Sequence, residues 1–212
     1  MTAILSEETR VRDEIASVGK SLFERGLSPG STGNISVRLS SGELLMTPTN
    51  ASLGSLEPAR ISRFSADGVH IGGDKPTKEA YLHQCVYCRR ADARAVVHLH
   101  STHAVAISLL PEIDKDDVLP PMTAYYLMRV GSLPLVDYAP PGDPALAHAV
   151  QAKLEKAHAV LLANHGPVVC GKTLLEAQYA SEELEETAKL YLLMRGINFR
   201  ALTPQQASQL PR

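Results

Sequence analysis

His98-Leu99-His100 follows the apolar run Ala95-Val96-Val97 and precedes Ser101-Thr102. On a strand, residues i and i+2 share a face, so this spacing sets two imidazoles side by side. Paired imidazoles are poor core material and good metal ligands. His165, in Asn164-His165-Gly166 between two apolar runs, is the natural candidate for a third nitrogen. Gly166 would let backbone come close to a site there. Three histidines with one open position describe a catalytic rather than a structural zinc site. The competing reading is that these are surface or satisfied core histidines, in a chain with eight of them. His103 is expected to open a helix and leave the strand face. His70, His83, His148 and His158 have no partners at useful spacing.

Gly30-Ser31-Thr32-Gly33-Asn34 is a run of small residues whose backbone N–H groups can wrap an anion. No Gly-Lys-Ser/Thr follows, so it is not a P-loop, and a plain turn competes with the anion reading. Thr47-Pro48-Thr49-Asn50 and Pro76-Thr77-Lys78-Glu79 also offer hydroxyls at loops. The second opens a helix whose N-terminus attracts anions, and Lys78 adds a cation. Together these loops suggest a phosphorylated or carboxylated substrate. Glu79 is expected in the first turn of that helix. It either pairs with the helix dipole or serves as an acid/base carboxylate beside a metal.

Other polar signals read more simply. Cys85-Val-Tyr-Cys88 lies on a predicted helix without a second cysteine pair, so both thiols are expected to be small buried residues. Tyr125 and Tyr126 are adjacent and point to different sides, so at most one faces a site, and core packing is the alternative. Glu182-Glu183 and Glu185-Glu186 are expected to form a solvated helix face.

The elements that carry these residues follow from periodicity and turn residues. Helices are predicted over Ser6–Gly26, Thr77–Arg90, Thr102–Leu110, Pro144–Lys156 and Thr173–Arg195. The first buries Val11, Ile15, Val18, Leu22 and Phe23 and is capped by Ser6. Strands are predicted over Ile35–Leu39, Glu43–Thr47, Arg60–Phe64, Val69–Ile71, Ala95–His100, Leu133–Val136, Ala159–Ala163 and Pro167–Cys170. Strands and helices interleave, which gives an α/β or α+β class. Tight turns between strands make part of the sheet antiparallel. The tail from about residue 199, polar over Thr203–Arg212, is expected to be loose.

At 212 residues the chain is expected to form one domain spanning 1–212. A net charge of −2 with no Lys/Arg block argues against nucleic acid as a partner. No apolar run reaches the roughly 18 residues of a membrane span. The N-terminus MTAILSEETRVRDE has no hydrophobic signal region. Three cysteines are too few and odd for a disulfide framework, so a cytoplasmic location is expected.

Gly30-Ser-Thr-Gly-Asn34, Thr47-Pro-Thr-Asn50, Pro76-Thr-Lys-Glu79, His98-Leu-His100 and Asn164-His165-Gly166 occur in the order found in class II sugar-phosphate aldolases. The chain resembles the aldolase II/adducin head family, which includes fuculose-phosphate aldolase and ribulose-phosphate 4-epimerase, from about Glu7 to Gly196. The resemblance implies a three-layer α/β/α sandwich with a mainly antiparallel central sheet. It implies a divalent metal, Zn²⁺ first and Mn²⁺ or Co²⁺ as alternatives, held by His98, His100 and His165. Glu79 matches the family's proton-transfer glutamate. Ser31, Thr32, Gly33 and Asn34 match a phosphate loop, to which Thr49, Asn50, Thr77 and Lys78 would contribute. The family's catalytic tyrosine does not align cleanly, and Tyr125 or Tyr126 would stand in for it. A homotetramer with active sites at subunit interfaces is implied as well.

Within the family, Thr47-Pro-Thr-Asn-Ala-Ser-Leu-Gly54, Asp74-Lys-Pro-Thr-Lys-Glu-Ala80, His98-Leu-His-Ser-Thr-His103 and Tyr125-Tyr-Leu-Met-Arg-Val-Gly131 are most similar to the 3-oxo-tetronate 4-phosphate decarboxylase branch. That branch implies a phosphorylated four-carbon sugar acid as substrate, with dihydroxyacetone phosphate and CO₂ as products. Retro-aldol cleavage and β-keto acid decarboxylation both leave an enediolate that a Lewis acid would stabilise. Lys78 or Arg129 would help orient the departing carboxylate. The rival readings are an aldolase, 4-epimerase or dehydratase of the same superfamily, and a non-catalytic adducin-like binding module. Against the last, all three histidines and Glu79 are present.

Overall fold

In the computed structural model, which describes residues 6–140 and 143–211, the first described element is helix α1, Glu7–Glu24. Ser6 caps it by accepting a hydrogen bond from the Thr9 backbone N–H, and Glu7 and Glu8 complement the dipole in its first turn. Its buried stripe is Val11, Ile15, Gly19 and Leu22. Phe23, expected in that stripe, is exposed, because it sits one residue past Leu22 and turns off the face.

Eight strands form one sheet in the order β4-β3-β2-β1-β5-β8-β7-β6. They are β1 Asn34–Arg38, β2 Leu44–Met46, β3 Ser62–Phe64, β4 His70–Gly72, β5 Ala95–His98, β6 Leu135–Val136, β7 Ala159–Leu162 and β8 Gly166–Gly171. The pairs are antiparallel except β6 with β7, and those two are joined through helix α5, Pro144–Lys153. A parallel pair needs such a crossover, whereas β1–β2, β3–β4 and β7–β8 close through short turns.

Strand side chains alternate between two helical layers. Val96 of β5 and Val168 and Cys170 of β8 face α2, Ala80–Arg89, together with α5. Ala95 and Val97 face α1 and the start of α6, Leu174–Met194. Ala159, Leu161 and Val169 face α3, Thr102–Ser108, α4, Ala124–Arg129, and the rest of α6. The result is the expected α/β/α sandwich with a mainly antiparallel sheet. Fully burying a Leu, Ile or Val contributes about 1.5–3 kcal/mol, and α1 gains this from Ile15 and Leu22, both fully buried.

Several expected boundaries move. The strand predicted over Ala95–His100 ends at His98, so His100 lies just past it. The helix predicted from Thr77 begins at Ala80, and Glu79 is its N-cap residue rather than part of its first turn. The Pro48–Pro76 bridge and the Thr77 N–H donating to the Thr47 carbonyl hold residues 76–77 extended against the 47–50 loop. Helix α4 was not anticipated in its proline-rich surroundings. The tail predicted to be loose contains helix α7, Pro204–Ala207, closed by a Thr203/Gln206 capping box.

Candidate metal centre

β5 is the centre of the site. Its last residue, His98, is fully buried, and its Nδ1 lies 2.9 Å from the Pro167 carbonyl oxygen on β8. A carbonyl only accepts, so Nδ1 carries the proton and Nε2 presents a lone pair. His100 Nε2 stands 3.2 Å from that Nε2. His165 enters from the turn between β7 and β8, where Asn164 has φ 58°. At Gly166 a Cβ would meet the Leu99 carbonyl oxygen at 2.1 Å. Only glycine lets this turn lie against the end of β5.

Glu79 completes the group from the start of α2. Its Oε1 is 3.2 Å from His165 Nε2 and its Oε2 is 3.4 Å from His98 Nε2. One ligand atom from each of Glu79, His98, His100 and His165 lies within 4.8 Å of the others. The carboxylate is buried, and Oε1 has no hydrogen-bond partner among the described residues. Burial pushes the His100 and His165 imidazoles down to about 4, with the neighbouring His98 adding to the effect. Burial works to raise the Glu79 carboxyl, but His98, the Asn34 hydrogen bond and His165 outweigh it and leave the pKa lowered. Three converging imidazole nitrogens beside a buried carboxylate oxygen without a hydrogen bond form a donor set that suits a cation. Imidazole and carboxylate suit a divalent transition metal, so the residues fit a metal ion.

The surrounding loops converge on this centre. Asn34, at the start of β1, pairs with His98 in the sheet register. It is buried, and its Nδ2 donates to Glu79 Oε2 at 2.8 Å. Asn34 is therefore turned toward the carboxylate rather than out into the loop. Thr32 spends its hydroxyl on the Pro29 carbonyl at 2.7 Å, and Ser31 is exposed. Gly33 lies against the His98 carbonyl, where a Cβ would come within 3.0 Å. The antiparallel contacts described above set Thr47 opposite Thr77 and Thr49 opposite Lys75, with Asn50 and Lys78 beyond them at opposite ends. Of these, Thr77 is buried, while Asn50 and Lys78 are exposed. His100 and His165 line an open cleft of about 670 Å³ walled by Leu109 and Tyr138.

The tyrosines lie elsewhere within the chain. Tyr126 is fully buried in the α3/α4/α6 core, where burial raises its pKa and its hydroxyl has no partner among the described residues. Tyr125 is exposed and lines a separate cleft with Arg129 and Tyr179, whose ring the Arg129 guanidinium covers at 5.1 Å. None of the four cluster residues lines that cleft.

Two expectations about polar residues change. Glu185 is not solvated: its carboxylate accepts from the backbone N–H groups of His103 and Ala104, both at 2.9 Å, and caps α3. Glu182 is half-buried and pairs with Arg25 at 2.9 Å. Cys85 is buried, its thiol pushed up to about 12 by burial, but Cys88, about 60° further round the helix, falls outside the arc buried by Leu82, His83, Cys85, Val86 and Tyr87 and is exposed. His83, which spacing leaves without a partner, is fully buried between Ser36 and Asn34. The signal for it was present in the sequence. Glu79, His83 and Tyr87 are four residues apart on one helix face, and Asn34 and Ser36 are two apart on one strand face.

Residues 13–192 match the family described as Class II Aldolase and Adducin N-terminal domain. The chain is 47% identical over 206 residues to a 3-oxo-tetronate 4-phosphate decarboxylase of Cupriavidus necator, covering 96% of this chain and 94% of that protein. It is 44% identical over 210 residues to the protein of that name from Escherichia coli K12, covering 99% of each. The crystal structure of YgbL from Escherichia coli superposes with a TM-score of 0.94 at 43% identity, covering 97% of this chain and 99% of that one.

Proposed function

Because the chain belongs to the class II aldolase and adducin N-terminal domain family, we propose that it decarboxylates 3-oxo-tetronate 4-phosphate to dihydroxyacetone phosphate and CO₂. The observation that carries this reading is the near-full-length identity of 47% to a decarboxylase of that name. The gathered histidines and Glu79 supply the matching chemistry.

The substrate is a β-keto acid. Its C1–C2 bond breaks, CO₂ leaves, and the electron pair passes from C2 toward the C3 oxygen. A proton then adds to C2, and the product is dihydroxyacetone phosphate. A divalent metal held by His98, His100 and His165, with Zn²⁺ the first choice and Mn²⁺ or Co²⁺ alternatives, supplies Lewis-acid stabilisation of the developing oxyanion charge when bound. Glu79, ionised at rest, takes up a proton from solvent and passes it to C2. Its Oε2 is tied to Asn34, while Oε1, 3.2 Å from His165 Nε2, makes no hydrogen bond among the described residues and faces the cluster. The Ser31–Gly33 loop, Thr49, Asn50 and Thr77 receive the phosphate. Lys78, exposed next to Glu79, guides the carboxylate.

We further read the enzyme as one domain, cytoplasmic, and a homotetramer. Tyr125 and Arg129, exposed or half-buried on α4, would reach the site of a neighbouring copy. Among the described residues no helix is long and apolar enough to cross a membrane. The decisive assay couples detection of dihydroxyacetone phosphate and CO₂ from 3-oxo-tetronate 4-phosphate, with and without chelator. Both products are expected, lost on chelation and restored by metal. Metal binding without CO₂ release would overturn the reaction while keeping the site.

A further inference from the structure

A line of buried polar side chains runs from the outer part of α2 to Glu79. Tyr87 Oη is 2.8 Å from Ser36 Oγ, and Ser36 Oγ is 2.7 Å from His83 Nδ1. His83 Nε2 meets Asn34 Oδ1, and Asn34 Nδ2 donates to Glu79 Oε2 at 2.8 Å. Ser36 and His83 are fully buried, and Asn34 and Tyr87 nearly so. None of Ser36, His83 and Tyr87 touches the cluster nitrogens through any of these bonds.

The chain has one self-consistent direction. An ionised carboxylate only accepts, so the Asn34 amide group must face Glu79 and its carbonyl oxygen must face His83. The carbonyl oxygen only accepts, so His83 Nε2 carries the proton. Burial drives the His83 imidazole down to about 3, which keeps it neutral. Its Nδ1 is then an acceptor, so Ser36 donates to it and in turn accepts from Tyr87. Every donor points toward Glu79.

We propose that His83, held as its Nε2–H tautomer by Ser36 and Tyr87, is a positioning residue that orients Asn34 and through it the Glu79 carboxylate. This rests on the reading of Glu79 as the carboxylate that carries the proton to C2, given above. A carboxamide does not relay protons as an imidazole or hydroxyl does, so the chain orients and does not conduct. It fixes Oε2 and leaves Oε1 turned toward His165. Without His83 the Asn34 amide can rotate, and the carboxylate loses its fixed donor. A misplacement of about 1 Å at a reacting group is enough to lower turnover by about 100-fold.

The test uses the metal-loaded full chain in two arms. In the first, ¹⁵N-histidine NMR at pH 7, with H83Q identifying the signal, reads the tautomer. A neutral ring protonated on Nε2 is expected, and a ring protonated on Nδ1 or an imidazolium would overturn the proposal. In the second, H83F and S36A are assayed for CO₂ release and bound metal. H83F is expected to lower kcat at least tenfold with KM and metal content within twofold. S36A is expected to lower kcat less, and H83Q to recover part of the loss by donating to Asn34 and accepting from Ser36. Unchanged kcat in both H83F and S36A, or a loss that tracks metal loss, would overturn it. If H83F does not fold, S36A alone decides this arm. A wild-type protein that releases no CO₂ would instead refute the functional reading, and the tautomer measurement would still decide the hydrogen-bond chain.

Discussion

Glutamine in place of Glu79 keeps the side-chain shape and removes the carboxylate that takes up and passes on the proton. General acid catalysis by a positioned group is worth roughly 10²–10⁴-fold. Glu79→Gln is therefore expected to retain bound metal and substrate affinity while kcat falls by about that factor. Turnover within a few-fold of wild type would remove Glu79 from the proton transfer. His98→Ala has a different signature. His98 is fully buried, and its Nδ1–H bond to Pro167 aims Nε2 into the cluster, so its loss is expected to lower metal content first and activity as a consequence. Metal analysis after gel filtration separates the two, and full occupancy in His98→Ala would take that residue out of the site. Glu79 sits among the histidines because β5, the β7–β8 turn and the start of α2 converge. The spacing of His98 and His100 was legible as chemistry by itself, whereas His165 and Glu79 could be read as candidates but not placed beside them without that convergence.

At the level of elements, α3 depends on a residue 81 positions away from Ala104. Both oxygens of Glu185 on α6 accept backbone N–H groups at the start of α3, directly after the strand end that carries His98 and His100. A carboxylate on otherwise unsatisfied helix N-terminal donors is worth about 1–2 kcal/mol when partly buried. Glu185→Ala is expected to destabilise the protein by about that amount, with Glu185→Gln closer to wild type. Urea midpoints at equal m-value measure it, and equal midpoints for Glu185→Ala and wild type would show that solvent satisfies these donors. Local pattern revealed α1, whose cap and stripe lie within 17 residues, and the hairpin strands β1 to β4. It could not reveal the Glu185 cap, whose partners are distant in sequence, and of the His83 chain it held only the two halves, Glu79/His83/Tyr87 and Asn34/Ser36, which meet when the layers pack. Helix α4, at six residues, is shorter than two turns and too short for periodicity to register. The α7 capping box was visible as Thr203-Pro-Gln-Gln206, but its polar composition read as tail.

For the molecule as a whole, the buried imidazoles set how stability responds to acid. His83 is pushed down to about 3, and His100 and His165 to about 4, each chiefly by burial, against an ordinary value of 6.5. Below pH 6.5 the unfolded chain takes up protons that the native imidazoles refuse, so stability falls as pH drops from 6.5 toward 4. Glu79 acts in the same direction: with its pKa lowered from 4.5, its contribution is present above that value and is lost as pH falls through the folded pKa. Metal-free protein is therefore expected to show a lower Tm at pH 5 than at pH 7. Metal adds stability at pH 7, about 2.7 kcal/mol at a free concentration of one hundred times Kd. Binding needs deprotonated ligands, so the rise in Tm on adding metal is expected to shrink at pH 5. Thermal unfolding of chelator-treated and metal-loaded protein at both pH values checks each part. A flat metal-free profile would contradict the burial account of the histidines. A metal-induced rise that does not change with pH would contradict imidazole ligation, because a ligand set of three histidines has to compete with protons for every lone pair it offers.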